Sequence, residues 1–581
     1  MIMNTLPVYR KTGLGRLYIS WVMLSLRPRR TALILAAVFV GSVMEGLGLV
    51  SVLPLLELLN PNSQQVNSRI FGFFRSFFHF LNVELCLGAV LLTIVILILT
   101  KSVLHFFAMT YVGQVMIDIT TELRLMLVRS IFAARWPFYI NQSIGKLVNT
   151  VSVEAASATN VYSHSVQMLA NILQVAVLLF LASQVSLVMV VVALLIAVMM
   201  FSGLGYFLDV SQRTGKQLVK LLQSTTAVMS ETLQGIKPIK AMNSEQRLIN
   251  ILERELVAIR KSMFKQMVAQ QVIIEVREPF VVIFAVAGMY AAIRYYAVPV
   301  SELLVLVLLF HRAISGINTI QTSYQKVLSF EHNYWSVASF FNTALQESEV
   351  ETGDRQPRLT KDIVFQNVSF AFGEKKVLDD VSFDIPFQSF TVLIGRSGSG
   401  KTTITDLLCG LLRPAAGEIH IDGTPLSQVN IHAWRQMIGY VPQEVFLFHD
   451  SVMANITLGD PQVSAADVER ALRAAGAWQF VSELPEGMLT VIGERGTKLS
   501  GGQRQRLSIS RALIRKPALL ILDEATAALD RKTEEEILTT MKDLTGDMTI
   551  LAISHQPVML QAADRVYRLQ DNKIVAAAED S

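Results

Sequence analysis

Cysteine is nearly absent from this chain of 581 residues: Cys86 lies in an apolar run and Cys409 follows a glycine-rich loop. Two thiols so placed exclude a disulfide framework and a cysteine-based metal site, and both are expected to be core residues. Charge is scarce as well. Charged residues make up 17% of the chain against 52% hydrophobic, and the mean hydropathy of +0.43 is too apolar for a soluble protein, so much of the chain is expected in lipid. A net charge of +4 favours neither nucleic acid nor an acidic substrate, and no nucleic-acid partner is expected. There is no internal repeat, no low-complexity tract, and no small-residue cleavage site after the apolar stretch Leu17 to Leu26. Arg27, Arg29 and Arg30 follow that stretch instead, so it reads as an amphipathic helix on the cytoplasmic membrane surface.

What is present in abundance is long hydrophobic runs. Six of about 20 residues, at 32–58, 85–111, 161–182, 186–205, 272–293 and 302–324, are near the length needed to cross the hydrocarbon core. Basic residues cluster before the first run and between the fourth and fifth, including Arg213, Lys216, Lys220, Lys237, Lys240, Arg260, Lys261 and Lys265. The loops at 60–84, 183–185 and 294–301 hold only Arg69, Arg75 and Arg294. The positive-inside rule therefore predicts six crossings with the C-terminal half in the cytoplasm. The connections 112–160 and 206–271 are too long for turns and carry helical periodicity, which predicts helices continuing out of the membrane. Glycine or proline breaks in Trp136 to Asn149 and Ser230 to Met242 predict short transverse helices there. The polar run Gln346 to Pro357 reads as a linker, and a soluble domain is expected from Asp362.

In that domain the apolar strand Phe390 to Ile394 leads into Gly395-Arg-Ser-Gly-Ser-Gly-Lys-Thr402. Glycines Gly395, Gly398 and Gly400, with Ser397, Thr402 and Thr403, let backbone N–H groups wrap phosphates. Lys401 neutralises the β/γ charge, and the Thr402 hydroxyl suits Mg²⁺. A second strand, Ala518 to Leu522, is apolar throughout, as a strand buried on both faces must be, and ends in Asp523-Glu524. Asp523 is the candidate metal ligand, and Glu524 the candidate base that polarises the attacking water.

Upstream of this strand, Leu499-Ser-Gly-Gly-Gln503 precedes a helix expected over Arg504 to Ile514, and it resembles the signature motif of the ABC transporter family. The resemblance implies that Ser500, Gly501, Gly502 and Gln503 close on the γ-phosphate of ATP held by a second subunit, and so implies a dimer with two ATP molecules. It implies further roles by position: Gln443 as the Q-loop residue at the metal, His555 as the switch histidine, and Asp530 as the D-loop aspartate. Thr490 to Gly496 resembles the X-loop of exporters. Phe372 stands where the family usually stacks a tyrosine on adenine, and Ala527 replaces a common serine; a phenyl ring keeps the stacking face.

The expected architecture is an α-helical transmembrane bundle of six spans joined to an α/β P-loop NTPase domain. It divides into a cytoplasmic elbow helix (1–30), a transmembrane domain with two cytoplasmic extensions (31–340), a linker (341–361) and an ATP-binding domain (362–581). The expected activity is that of an ATP-driven exporter or flippase in the inner (plasma) membrane, a homodimer, with a heterodimer as the alternative, using ATP and Mg²⁺. Intramembrane Lys101, Arg277 and Arg312, with His311, suit phosphate or pyrophosphate, and the span-one run Met44 to Pro54 is similar to the lipid-linked oligosaccharide flippase branch. The substrate is then amphipathic or lipid-linked; a peptide or multidrug exporter is the alternative. Glu45, Glu275 and Glu278 offer the competing reading of structural ion pairs.

Overall fold

The computed structural model describes residues 18–59, 87–187, 235–296, 299–349, 353–525 and 548–576, with scattered positions between. The chain divides into two compact units, one of 1–129 and 145–342, the other of 130–144 and 343–581.

The first unit is helical. Tyr18–Ser25 buries Ile19, Val22 and Met23. After Pro28 at its start, which fits the first helical turn because that turn needs no N–H there, a helix runs over Pro28–Val50, and Val52–Leu59 continues beyond Ser51. Long helices follow at Leu87–Phe132, Ala155–Val185, Glu245–Tyr296 and Val300–Gln346. Among the described residues, four helical stretches are long and apolar enough to span a membrane: Pro28–Leu56, Leu87–Phe132, Ile144–Val185 and Val300–Gln346. The expected fifth run, 272–293, lies inside Glu245–Tyr296; the fourth falls almost wholly outside the described residues. Leu87–Phe132, with 46 residues, is about 69 Å long at 1.5 Å per residue, more than twice the hydrocarbon thickness. Its first half leaves Leu91, Leu92, Val95, Ile96, Leu99 and Val103 exposed, a surface stable only against lipid or another apolar face. Short helices stand at Ile144–Asn149 and Ile236–Ala241 in the two long connections, and a third, Trp136–Ile140, falls in the second unit.

Two glycines set how closely the spans approach. A Cβ on Gly46 would lie 2.4 Å from Leu181 Cδ1, and one on Gly316 would lie 2.6 Å from Val175 Cγ2. A larger residue at either position would have to displace that side chain, more easily for the flexible Leu181 than for the branched Val175.

The second unit contains two sheets. β1 (Asp362–Phe372), β2 (Lys375–Pro386), β4 (Ala416–Ile421) and β5 (Thr424–Pro425) form an antiparallel sheet of order β2-β1-β4-β5. β3 (Phe390–Gly395), β6 (Ile438–Val441), β7 (Leu519–Asp523), β8 (Thr549–Ile553), β9 (Arg565–Gln570) and β10 (Lys573–Ala576) form the second, of order β10-β9-β3-β8-β7-β6. All its pairings are parallel except β9 with β10. β7 and β8 are buried at every position, since both faces are covered. On one face, Leu393, Ile521 and Leu551 join a core with Phe365, Leu407 and Trp434; on the other, Val392, Leu520 and Ile550 pack with Ile509 and Leu513. Trp434 is fully buried and its indole N–H donates to Leu408 O at 2.8 Å.

The segment read as a polar linker is strapped to this unit. Arg435 binds Glu349 through both Nη atoms at 2.9 and 2.5 Å, and it also donates to the carbonyls of Cys409 and Gly410. Leu359 is buried beside the antiparallel sheet. Cys409 is buried as expected, its thiol pushed up to about 12 by burial. Cys86 is exposed, contrary to the expectation of a core residue: it sits just before the helix starting at Leu87, where no helical face carries it into a packed interface.

Candidate functional site

Parallel order brings the C-terminal ends of β3, β8, β7 and β6 to one edge, the place where open α/β sheets hold ligands. β3 ends in the phosphate loop. Gly398 and Gly400 have φ of 76° and 108°, conformations that side chains rarely adopt. A Cβ on Gly395 would lie 2.6 Å from Leu569 O, so glycine is required there for the close pass of β9. Lys401, only 5% exposed, donates from Nζ to Gly395 O (2.6 Å) and Arg396 O (3.0 Å), so its charge is held over the loop by the loop's own carbonyls. The helix Lys401–Leu408 starts here and carries Thr402, exposed, and Thr403, buried. Its first-turn N–H groups face the loop, where an anion is favoured. Ser397 lies in the same turn of chain.

β7 delivers Asp523, nearly buried, to the same edge. Tyr440 at the end of β6 donates its hydroxyl to Asp523 Oδ2 at 3.3 Å. Burial raises the pKa of Asp523, opposed by hydrogen bonds from Tyr440 and Thr402. Glu524, the next residue, has φ of 46°, and its N–H is held by Ile553 O at 3.0 Å. A left-handed non-glycine at a strand end is strained backbone held by its surroundings, and it turns the Glu524 carboxylate out of the sheet. Gln443, just beyond β6, donates from Nε2 to Glu524 Oε2 at 2.5 Å. His555 follows β8 and is exposed. Thus Lys401, Thr402, Gln443, Asp523, Glu524 and His555 all stand on one edge.

Phe372 ends β1, 46% exposed, with its ring edge-on to Phe370 at 4.9 Å. The signature lies elsewhere on the unit. Its helix is Gly501–Leu513, starting three residues earlier than the sequence suggests, because Ser500 is the N-cap. Ser500 accepts from Gln503 N, and Gln503 returns the bond to Ser500 N, a capping box that places Gly501 and Gly502 in the first turn. Asp530 and Ala527 lie outside the described residues.

In the helical unit, Glu45 is the meeting point of three side chains. Arg312 Nε reaches its Oε1 at 2.5 Å, Lys101 Nζ the same oxygen at 3.5 Å, and Gln174 donates to Oε2 at 2.7 Å. These residues line a cavity of about 490 Å³ that also touches His105, Met109 and Asn171. Lys101 and Arg312 are therefore together, and paired with a carboxylate; His311 is exposed on the neighbouring face. The side chain of Arg277 lies outside the described residues, as does that of Glu278. Sequence reading missed Tyr440 and Gln174; a glutamine in the middle of the apolar run 161–182 was the available signal.

A bundle of membrane-crossing helices in one chain with a P-loop ATPase unit bearing a signature motif defines an ATP-driven membrane transporter. The model of the ABC transporter transmembrane region matches residues 32–317, and the model described as ABC transporter matches 378–527. The chain belongs to the ABC transporter family, as an exporter-type half-transporter: a multi-pass membrane protein that binds ATP and couples its hydrolysis to export. It is 31% identical to an ATP-dependent lipid A-core flippase of Photobacterium profundum over 75% of this chain and 76% of the relative. It is 27% identical to the heterocyst differentiation ATP-binding protein HepA of a Nostoc species over 82% and 78%. A bacterial Atm1-family ABC exporter with ATP bound shares the fold at a TM-score of 0.75, covering 95% of each chain at 21% identity.

Proposed function

We propose that this protein is a homodimeric flippase that moves an anionic, lipid-linked amphipath from the inner leaflet outward, driven by two ATP molecules sandwiched between its ATP-binding domains. The observation that carries the reading is the placement of Lys101 and Arg312 on one cavity whose other walls include Met109 and Val112. Cations suit a phosphate headgroup and apolar walls suit a chain. The relatives named as lipid A-core flippases point the same way.

In the cycle, Lys401 and the phosphate-loop amides hold the β- and γ-phosphates, and Phe372 offers its ring to the adenine. Ser500, Gly501, Gly502, Gln503 and Asp530 of one copy complete the site of the other. The oxygen donors Thr402, Asp523 and Gln443 fit Mg²⁺, a hard ion that takes oxygen ligands; bound there, it neutralises charge on the transferred phosphoryl group. Glu524 accepts the proton of the attacking water and His555 contacts the γ-phosphate. The ATP-binding domain lies in the cytoplasm and the spans in the inner membrane, following the basic loops. ATP-driven closure shifts the spans between inward and outward states, to which the substrate must bind with different affinity.

The test is ATPase rate in lipid nanodiscs with and without a polyprenyl-pyrophosphate oligosaccharide, for the natural protein and for an Arg277→Ala/Arg312→Ala variant. Stimulation lost in the variant is expected. Basal hydrolysis indifferent to the anionic lipid in both would replace this reading with a peptide or multidrug exporter.

A further inference from the structure

The two oxygens of the Glu45 carboxylate have different partners. Oε2 accepts from the neutral amide of Gln174, while Oε1 alone faces Arg312 and Lys101. Among the described residues Arg312 meets Glu45 only through Nε, which leaves both Nη groups without a partner on a guanidinium that lines the cavity. A structural Arg–carboxylate pair would be expected to close both prongs of the fork; this one is half engaged. Among the described residues two cations also share one carboxylate, which gives this cluster a surplus positive charge, and Lys101 sits at a distance where attraction persists without a good hydrogen bond. The side chains of Lys101 and Arg312 are 24% and 38% exposed, against 12% for Glu45. All three line the cavity, and the cations are more open to it than the carboxylate.

We propose that Glu45 is an internal counter-ion that the anionic headgroup of the transported molecule replaces. This rests on the reading of the cavity as the transport site and adds to it a specificity-determining residue. Without a counter-ion, two cations at membrane depth would be left unpaired, which is costly. Glu45 removes that cost through one oxygen only. An arriving phosphate or pyrophosphate takes the free Nη donors first, then Lys101, then displaces Oε1, and Gln174 keeps the departing carboxylate bonded throughout. A neutral headgroup has nothing with which to drive the exchange. Leu181 and Val175, on the helix bearing Gln174, pack against Gly46 and Gly316 on the helices bearing Glu45 and Arg312, which sets the three groups side by side.

The experiment compares equilibrium binding of farnesyl pyrophosphate and of farnesol to the full-length protein in nanodiscs, corrected with empty nanodiscs. Glu45→Gln removes the competing charge and is expected to tighten farnesyl pyrophosphate by on the order of tenfold, the size of a partly screened charge contact, with farnesol unmoved. Glu45→Gln/Lys101→Met restores the charge count and should return affinity towards that of the natural protein, which a variant weakened by misfolding would not do. Arg312→Ala should weaken the pyrophosphate only. If Glu45→Gln leaves pyrophosphate binding unchanged or weaker while Arg312→Ala still weakens it, the counter-ion role is wrong and the anionic cavity stands. If no variant alters pyrophosphate binding, both fall. Inorganic pyrophosphate as competitor separates the sources of the anion: weak competition means a headgroup on an apolar tail, and equal competition means a soluble anion entering by the same exchange.

Discussion

Gln443 and Glu524, at the ends of neighbouring strands β6 and β7, are joined by a hydrogen bond of 2.5 Å from Nε2 to Oε2. The amide that points its N–H at the carboxylate proposed as the base keeps its oxygen for the Mg²⁺ proposed at this edge, so in that reading one side chain would tie the ion and the base into a single unit. Anything that moves Gln443 also moves the carboxylate.

Glu524→Gln retains an acceptor for Gln443 and so should preserve the loop and ATP binding, but it removes the carboxylate proposed as the base. Turnover should fall by about 100-fold or more. ATPase rate together with nucleotide binding checks this; robust hydrolysis would remove Glu524 from the role of base.

Tyr440→Phe deletes the hydroxyl that steadies Asp523 and nothing else of the ring. The concentration of Mg²⁺ needed for half-maximal ATPase should rise by about tenfold, as for lost partners of metal-binding carboxylates elsewhere. A Mg²⁺ titration at saturating ATP reads the change, and an unshifted curve would make the Tyr440 bond incidental.

Arg435→Ala would leave Glu349 and two carbonyls without their donor and should cost about 1–3 kcal/mol in the stability of the second unit. Hydrogen bonding from Arg435 holds Glu349 below its ordinary pKa. The stabilisation is therefore complete above the unfolded carboxylate's pKa and disappears as pH falls through the lower folded value. Melting temperatures of the natural protein and the variant should converge in acid and diverge towards neutrality; a gap independent of pH would contradict the ion pair as its source.

Gly316→Val places branched atoms where even a Cβ lies 2.6 Å from Val175. Overpacking of this kind costs about 1–3 kcal/mol, so the purified protein should melt at lower temperature in detergent. An unchanged melt would mean the helices separate at no cost.

The nucleotide edge was legible because its signals are local: a strand, a glycine loop and a lysine lie within a dozen residues. The acidic pair at the end of the apolar strand 519–523 was equally so. Gln443 and His555 carried meaning only through the order of neighbouring motifs, since neither has a distinctive local context. The signature helix begins earlier than the sequence suggests because glycines are poor helix formers, whereas the Ser500 capping box draws them in. The Glu45 cluster was half legible. Its charges stood out in apolar runs, but which carboxylate met which cation depends on helix packing, and Gln174 entered only when helices distant in sequence were laid side by side. The polar stretch after residue 346 reads as a linker, and its tie to the second unit was not legible because the partner of Glu349 lies 86 residues away.

Of the only two thiols in the chain, one is sealed in a core with its proton held to about pH 12, and the other is open at the head of a span. Maleimides attack thiolates, so Cys86 is expected to be the single site of labelling. A membrane-impermeant maleimide applied to whole cells, then to broken ones, would report which side of the bilayer Cys86 faces, and with it the direction in which the transporter points.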